Sequence, residues 1–208
     1  MPIITFANTK GGAGKTTVAL VVATELARRG HRVSLLDADP QQWATRWHRL
    51  SNMSADFSVI SNVTEETIEQ EIKDIKKRAG YVIIDLPGGL SPLLAKAIGL
   101  SDHVMVPVQG CAMDAVGGAQ VLNIMKELSA QCDIRIPHSV VLTRISSIIT
   151  TRALLAVKGL LAQQQVHVLD TAQENARILA DEIMRLAPPK VARAKTAKKQ
   201  ADAIKNAA

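Results

Sequence analysis

The sequence predicts an α/β protein: a doubly wound, mostly parallel sheet with helices on both faces. Short apolar runs alternate along the chain with longer amphipathic segments, and runs without a polar face are typical of strands buried on both sides. A repeated order of strand and helix requires right-handed crossovers between parallel strands, and these place helices over both faces. Ligands of such proteins bind beyond the carboxyl ends of the strands.

The individual elements follow from the same pattern. The predicted strands are the apolar runs at 3–7, 33–36, 82–84, 104–108 and 140–143, with two weaker ones at 57–60 and 166–169. The predicted helices have apolar residues at helical spacing and cover 16–29, 41–50, 65–78, 92–100, 112–130, 151–164 and 174–186. A chain of 208 residues is long enough to bury one sizeable core.

The net charge of +6 is concentrated at one end of the chain. Residues 187–208 hold six cations and one anion, whereas residues 1–186 carry a net charge of only +1. This Lys- and Ala-rich segment is typical either of a cationic arm that attracts polyanions without sequence preference or of a solubilising extension. We therefore expect an α/β domain over 1–186 and a separate basic tail over 187–208.

Composition also excludes some classes of protein. The chain has five aromatic residues, too few for the stacked-ring platforms of single-strand and RNA-binding modules. No run approaches the roughly 18 apolar residues that cross a bilayer, and the amino-terminal residues do not have the pattern of a secretory signal. We expect a cytoplasmic protein.

The strongest chemical signal lies between the first predicted strand and the first predicted helix, in the run NTKGGAGKTT at 8–17. Glycines let the backbone turn with its N–H groups inward, and the following helix directs the positive end of its dipole at the same place. The run therefore predicts a phosphate cradle, in which Lys15 neutralises the β- and γ-phosphates and the Thr16 hydroxyl binds Mg²⁺. The residues predicted to bind the phosphates are Gly11, Gly12, Ala13, Gly14, Lys15, Thr16 and Thr17.

The run departs from the common pattern GxxxxGK[ST], because Thr9 stands where the first glycine is expected and Lys10 follows it. Two lysine side chains this close repel each other unless negative charge lies between them or one points elsewhere. Lys10 is therefore a candidate for binding the nucleotide of a partner molecule.

Carboxylates follow two of the predicted strands, where such a site needs them. Asp37 and Asp39 close the second strand, and Asp85 closes the strand at 82–84. We expect Asp85 and Asp37 near the Mg²⁺ ion, Asp39 to orient the attacking water, and the Gly88 amide to contact the γ-phosphate. The alternative for each aspartate is strand termination or capping of the next helix.

These three segments together resemble the deviant-Walker ATPases, and within them the ParA-type partition and positioning ATPases. The resemblance covers residues 1 to about 165. It implies a P-loop NTPase fold that binds ATP and Mg²⁺ and forms an ATP-dependent homodimer. In that dimer Lys10 reaches the phosphates of the other subunit, Lys15 acts in its own site and Asp39 positions water. Residues that border the adenine in relatives correspond to Pro107, Thr143 and Arg144.

The resemblance also implies a biological role. Hydrolysis is slow until a ParB-like or other adaptor accelerates it, and the ATP dimer binds double-stranded DNA on the nucleoid without sequence preference. Such cycling segregates plasmid or chromosomal DNA or positions another cargo. The residues predicted to contact DNA are Arg177 and Arg185, two helical turns apart, together with Lys190, Arg193, Lys195, Lys198 and Lys199 of the tail.

Three alternatives remain at this point. A membrane-positioning protein of the MinD type needs a terminal amphipathic helix with large apolar residues, and the tail offers mostly alanine. A nitrogenase-reductase-like protein needs two cysteines that bridge a cluster, but Cys132 lacks the expected glycine-rich setting. A biosynthetic P-loop enzyme would need neither the cross-subunit Lys10 nor the cationic arm.

Two tryptophans lie four residues apart on the helix predicted after Asp39. Trp43 and Trp47 therefore share one face of that helix. Packing into the core is the expected role of that face, and contact with a partner coupled to ATP is the alternative.

Overall fold

The computed structural model describes residues 1–109, 112–133, 135–144, 151–163, 166–169 and 176–188. Its strands are β1 (Ile3–Phe6), β2 (Val33–Asp37), β3 (Phe57–Ile60), β4 (Tyr81–Asp85), β5 (His103–Gln109), β6 (His138–Thr143) and β7 (Val168–Leu169). Its helices are α1 (Lys15–Arg28), α2 (Trp43–Leu50), α3 (Ile68–Ile75), α4 (Pro92–Gly99), α5 (Ala112–Cys132), α6 (Arg152–Gln163) and α7 (Ala176–Leu186).

The seven strands form one sheet in the order β3-β2-β4-β1-β5-β6-β7, and every pairing is parallel. The chain winds from β1 to one side for β2 to β4 and to the other side for β5 to β7. The loop after β1 therefore lies where the winding reverses, the usual ligand position in doubly wound sheets. The predicted fold class is confirmed, and the two weaker predicted strands, β3 and β7, are the edge strands.

Two apolar cores lie on opposite faces of the sheet. On one face, Ile4 and Phe6 of β1 pack with α1 and α7, and Leu26 and Ile183 are among the fully covered side chains there. On the other face, side chains of β4 and β5 pack with α3, α4, α5 and α6, as Ile84 does. Burying each such leucine or isoleucine contributes about 1.5–3 kcal/mol. The central strands are thus fixed from both sides, which holds their carboxyl ends in place.

At the amino ends of β5 and β6, a chain of polar contacts runs from the buried His103 and Ser139 to the exposed His167. The Nε2 atom of His103 lies 3.1 Å from the Ser139 hydroxyl, which lies 3.1 Å from Nδ1 of His167. The pKa of His103 is lowered to about 4, mainly by burial and also by the neighbouring His138 and His167, whereas Glu182 acts in the opposite direction. His103 is therefore a neutral side chain of the folded state at pH 7.

The last described residues bear on the predicted boundary between domain and tail. Helix α7 ends at Leu186, yet Ala187 is 5% exposed and packs with the core on that face. Residues 189–208, which make up nearly all of the predicted tail, lie outside the described residues. In the part of the chain that the structure describes, no helix combines the length and the apolar character needed to cross a membrane.

Candidate functional site

The loop between β1 and α1 has a backbone suited to binding anions. Gly12 and Gly14 have positive φ angles of 79° and 96°, which glycine adopts without strain. Gly14 is the N-cap of α1, and its carbonyl accepts the N–H of Val18. The first N–H groups of α1 are therefore directed at the loop, together with the positive end of the helix dipole. Phosphate groups bind readily at such a helix start.

Lys15 is the first residue of α1 and is 6% exposed. Its ammonium group donates a hydrogen bond to the carbonyl oxygen of Lys10 at 3.1 Å. Burial lowers the pKa of Lys15, while the carboxylates of Asp85 and Asp39 act to raise it. The two carboxylates favour the charged form of Lys15, and a buried ammonium group contacts phosphate oxygens strongly because little water competes for it.

Asp85 ends β4 and is fully buried. Among the described residues, neither of its carboxylate oxygens has a hydrogen-bond partner. The pKa of Asp85 is raised to about 7, mainly by burial and also by the carboxylate of Asp37, whereas the Thr16 hydroxyl, which lies nearby but outside hydrogen-bond geometry, acts to lower it. An unsatisfied buried carboxylate is costly. Mg²⁺ prefers oxygen ligands, so the Asp85 carboxylate and the nearby Thr16 hydroxyl fit such an ion.

Asp37 ends β2 and lies opposite Asp85 in the register of the sheet. It is 1% exposed, but its carboxylate has partners within the protein. One oxygen accepts the backbone N–H and the hydroxyl of Thr45 at 2.8 and 2.7 Å, and the other accepts the N–H of Asp39 at 3.3 Å. Asp37 therefore anchors the first turn of α2, a task that the sequence interpretation assigned only as an alternative. Its contact with Mg²⁺ stays a prediction.

Asp39 lies in the turn between β2 and α2 and is half-buried. Its Oδ1 atom accepts the N–H of Gln41 at 2.8 Å, and its carbonyl accepts the N–H of Gln42, also at 2.8 Å. Gln42 has a positive φ of 51°. Helix α2 consequently begins at Trp43, two residues later than predicted, because this turn occupies the preceding positions.

Lys10 is half-buried, and its backbone is fixed at both ends of the residue. Its N–H donates to Oδ1 of Asn8 at 2.8 Å, and its carbonyl accepts from Lys15. The loop thus holds the backbone of Lys10 in place independently of any second subunit. The cross-subunit role of its side chain stays a prediction.

Contacts that the sequence did not predict hold the loop from the side of β5 and α5. Asn8 donates from Nδ2 to the carbonyl of Pro107 at 2.7 Å, and the Thr9 hydroxyl donates to Gln120 Oε1 at 2.5 Å. A Cβ atom on Gly117 would overlap Asn8 Oδ1 and lie 3.0 Å from the Lys10 nitrogen. The signal for this contact was the Gly-Gly pair at 117–118 inside a predicted helix, since interior glycines mark close approach.

The loop after β4 packs on the phosphate loop from another side. A Cβ atom on Gly88 would lie 3.0 Å from the nitrogen of Gly11. The N–H of Gly89 donates to the carbonyl of Thr9 at 2.6 Å. The structure therefore brings Gly88 to the phosphate loop, as the predicted γ-phosphate contact requires.

The residues predicted beside the adenine lie at three different places. Pro107 is buried within β5, where its carbonyl serves Asn8, and Thr143 is buried at the end of β6, where its hydroxyl donates to the carbonyl of Ala13 at 3.0 Å. Both therefore support the loop. Arg144 is exposed and has a positive φ of 51°. Of the three, Arg144 alone is exposed.

The residues predicted to bind DNA are only partly described. Arg177 and Arg185 of α7 are exposed, and the guanidinium group of Arg185 is held by the Glu182 carboxylate. The carbonyl of Arg177 accepts a hydrogen bond from Arg29, which joins α7 to the end of α1. The predicted DNA-binding residues of the tail lie outside the described residues: Lys190, Arg193, Lys195, Lys198 and Lys199. Cys111, one of the two cysteines of the chain, also lies outside them.

A parallel doubly wound sheet with a Gly-rich phosphate loop at its switch point, two loop lysines and aspartates at adjacent strand ends defines an ATPase of the ParA/MinD type. The sequence model of the VirC1 family (VirC1 protein) matches residues 1–185, so the chain belongs to this family.

One relative agrees with this assignment in sequence, and two solved structures share the fold. Protein ParA of Rhizobium radiobacter is 36% identical over 170 residues, which are 82% of this chain and 77% of that protein. The structure of apo McdA from Cyanothece superposes with a TM-score of 0.69 over 88% of this chain and 90% of McdA, at 16% identity. The structure of cobyrinic acid a,c-diamide synthase from Mycobacterium smegmatis, solved with ADP and magnesium, superposes with a TM-score of 0.73. The superposition covers 89% of this chain and 94% of the synthase, at 19% identity. At identities of 16% and 19%, the likeness to these two structures concerns the fold alone.

Proposed function

We propose that this protein is an ATP-driven switch for positioning DNA or another cargo in the cytoplasm. It binds ATP and Mg²⁺, forms a homodimer, binds double-stranded DNA without sequence preference and releases it after an adaptor stimulates hydrolysis. The observation that carries the proposal is the buried ammonium group of Lys15, which lies in a glycine-rich loop near Asp85 and Asp39. Similarity of the chain to protein ParA in sequence and to McdA in fold supports the proposal.

Each group of the site has a defined task in this proposal. Loop N–H groups and Lys15 bind the phosphates, and Lys15 exchanges the Lys10 carbonyl for phosphate oxygens as it does so. Thr16 and Asp85 hold Mg²⁺, which supplies charge neutralisation for the transferred phosphoryl group. Gln41 fixes one carboxylate oxygen of Asp39, and the carboxylate orients the attacking water.

The link to DNA is electrostatic. Two subunits joined through ATP present two copies of every cationic surface, so DNA affinity rises with dimerisation through avidity. The strongest cationic segment of the sequence is the predicted tail. Arg185 already pairs with Glu182, so we expect the tail to contribute more of the affinity than α7 does.

The test is retention of double-stranded DNA by the full chain with and without ATP and Mg²⁺, at several salt concentrations and with unrelated sequences. The proposal requires ATP to strengthen retention at each salt concentration, with a steep salt dependence typical of phosphate contacts. Equal retention without nucleotide contradicts it and favours a biosynthetic ATP-dependent enzyme, a class with the same fold.

A further inference from the structure

A groove separates α1 from α2 on the face of the sheet that these helices cover. Its volume is about 460 Å³. Leu20, Val21 and Thr24 of α1 form one wall, and Trp43 and Trp47 of α2 form the other. One end of the groove reaches Thr16 and Thr17, so it begins at the phosphate loop.

The two indole rings are exposed although their helix packs on the core. Trp43 is 56% exposed and Trp47 is 39% exposed, while Ala44 and Thr45 of the same helix are buried. The expectation that the tryptophan face packs into the core is therefore wrong. Exposed tryptophans that line one groove are typical of sites where a partner protein binds, because they bury a large area at small entropic cost.

The charge around the groove is positive. Arg46 lies over the ring of Trp43, 5.0 Å from its centroid, and Arg49 is exposed one turn further along α2. The sequence has no carboxylate at 15–24 or at 41–52, the stretches that form the two walls. A cationic segment, such as the chain's own tail, is repelled here, whereas an acidic segment is attracted.

The groove is mechanically connected to the nucleotide site. Thr45, next to the groove residues of α2, is held by the Asp37 carboxylate, and Gln41 is held by Asp39. These hydrogen bonds link Asp37 and Asp39 to the wall that carries Trp43 and Trp47. If either aspartate shifts on nucleotide binding, we expect a segment bound in the groove to respond.

We propose that this groove binds an acidic amphipathic helix of a partner protein, with apolar side chains between the two tryptophans and α1 and carboxylates toward Arg46 and Arg49. This is the helix-in-groove mode of recognition. The inference rests on the proposed function in one respect, which is that the helix belongs to the adaptor that stimulates hydrolysis.

Tryptophan fluorescence reports on this groove directly, because Trp43 and Trp47 are the chain's two tryptophans. The probe is a capped 16-residue helical peptide of leucine and glutamate, without aromatic residues, whose leucines form one face. Two further peptides have the same composition with scattered leucines, or lysine in place of glutamate. The amphipathic acidic peptide alone is expected to shift the emission to shorter wavelength and to reduce acrylamide quenching at least threefold.

Three variants sharpen the test. Arg46→Glu places a carboxylate on the α2 wall, and Thr24→Glu places one on the α1 wall. Each variant is expected to weaken binding of the acidic peptide at least tenfold. Arg46→Glu is also expected to improve binding of the lysine peptide. Lys77→Glu is the matched control, since Lys77 is exposed next to α3 on the opposite face, and it should bind like the unmodified chain.

Several results overturn the inference. These are equal responses to all three peptides, an emission shift produced equally by a DNA duplex, or a shift that depends on protein concentration without peptide, which would show a second copy in the groove. ATP-dependent DNA retention is measured on the same preparations. If the acidic peptide binds but ATP does not strengthen DNA retention, only the proposed function is contradicted. If ATP strengthens DNA retention but the peptide does not bind, only the proposal that the groove binds a helix is contradicted.

Discussion

The ammonium group of Lys15 donates a hydrogen bond to the backbone carbonyl of Lys10, 3.1 Å away. The two lysines are therefore linked through the side chain of one and the main chain of the other. Removing the Lys10 side chain leaves this bond intact, whereas removing the Lys15 side chain deletes the buried charge of the loop.

This difference predicts separate phenotypes for the two lysines. Lys15→Ala should weaken ATP binding at least 100-fold, because a buried charge-assisted contact to phosphate is worth about 3 kcal/mol or more. Lys10→Ala should change ATP binding less than about threefold but abolish ATP-induced dimers. Titration of a fluorescent ATP analogue and light scattering measure the two properties. Normal dimers of the Lys10 variant contradict the cross-subunit role.

Asp85→Asn tests the assignment of the unsatisfied carboxylate. An amide avoids the cost of burying a charge. In the absence of Mg²⁺ the free energy of unfolding of the variant should therefore be equal to that of the unmodified chain or higher by up to about 2 kcal/mol. It should also lose the strengthening of ATP binding by Mg²⁺. Denaturant unfolding and ATP titration with and without Mg²⁺ measure these effects. Retained Mg²⁺ dependence would place the ion elsewhere.

Gly117→Ala should destabilise the protein by about 1–3 kcal/mol, because its new methyl group overlaps Asn8 and crowds Lys10. Gly159→Ala in α6 is the matched control, since nothing lies within 4 Å of its added Cβ. That control should be neutral or stabilising by up to about 1 kcal/mol. Thermal unfolding compares the two, and equal stabilities would show that α5 does not press on the loop.

The buried His103 predicts a pH dependence of stability. The pKa of His103 is lowered to about 4 in the folded state from its ordinary value of 6.5, so the unfolded chain takes up a proton at this side chain first as the pH falls. The contribution of His103 to the free energy of unfolding is fully present above about pH 6.5. As the pH falls from there to pH 4, the free energy of unfolding decreases by about 3 kcal/mol at most. Denaturant unfolding across this range should show a shallower loss for His103→Gln. An unchanged slope would contradict the prediction.

Removal of residues 189–208 tests the tail. The cut follows Pro188 because Ala187 still packs in the core. The truncated chain should bind ATP normally, but its DNA affinity should fall and depend less on salt, since fewer phosphate-bound counterions are released. DNA binding at several salt concentrations measures the slope, and an unchanged slope would leave the segment as a solubilising extension.

Much of this architecture follows from the sequence because its signals are local. The apolar strand runs and the NTKGGAGKTT segment specify the sheet and the loop without knowledge of distant residues. The edge strands gave weaker signals, since β3 is only partly buried. The contacts of Asn8 with Pro107 and Thr9 with Gln120 join residues about 100 positions apart, and no local pattern encodes such pairs. The exposure of Trp43 likewise depends on how α1 and α2 pack, which helical periodicity alone leaves undetermined.

The loop before α1 is held by β5, β6, α5 and the turn after β4, through Pro107, Thr143, Gln120 and Gly89. Its shape is thus established ahead of the arrival of any nucleotide, and little chain entropy is lost on capture. We therefore expect most of the free energy of nucleotide binding to remain for contacts between two subunits. If the proposed ATP-dependent dimer forms, a rigid receptor of this kind predicts that ATP controls assembly of the two subunits rather than local refolding of the loop.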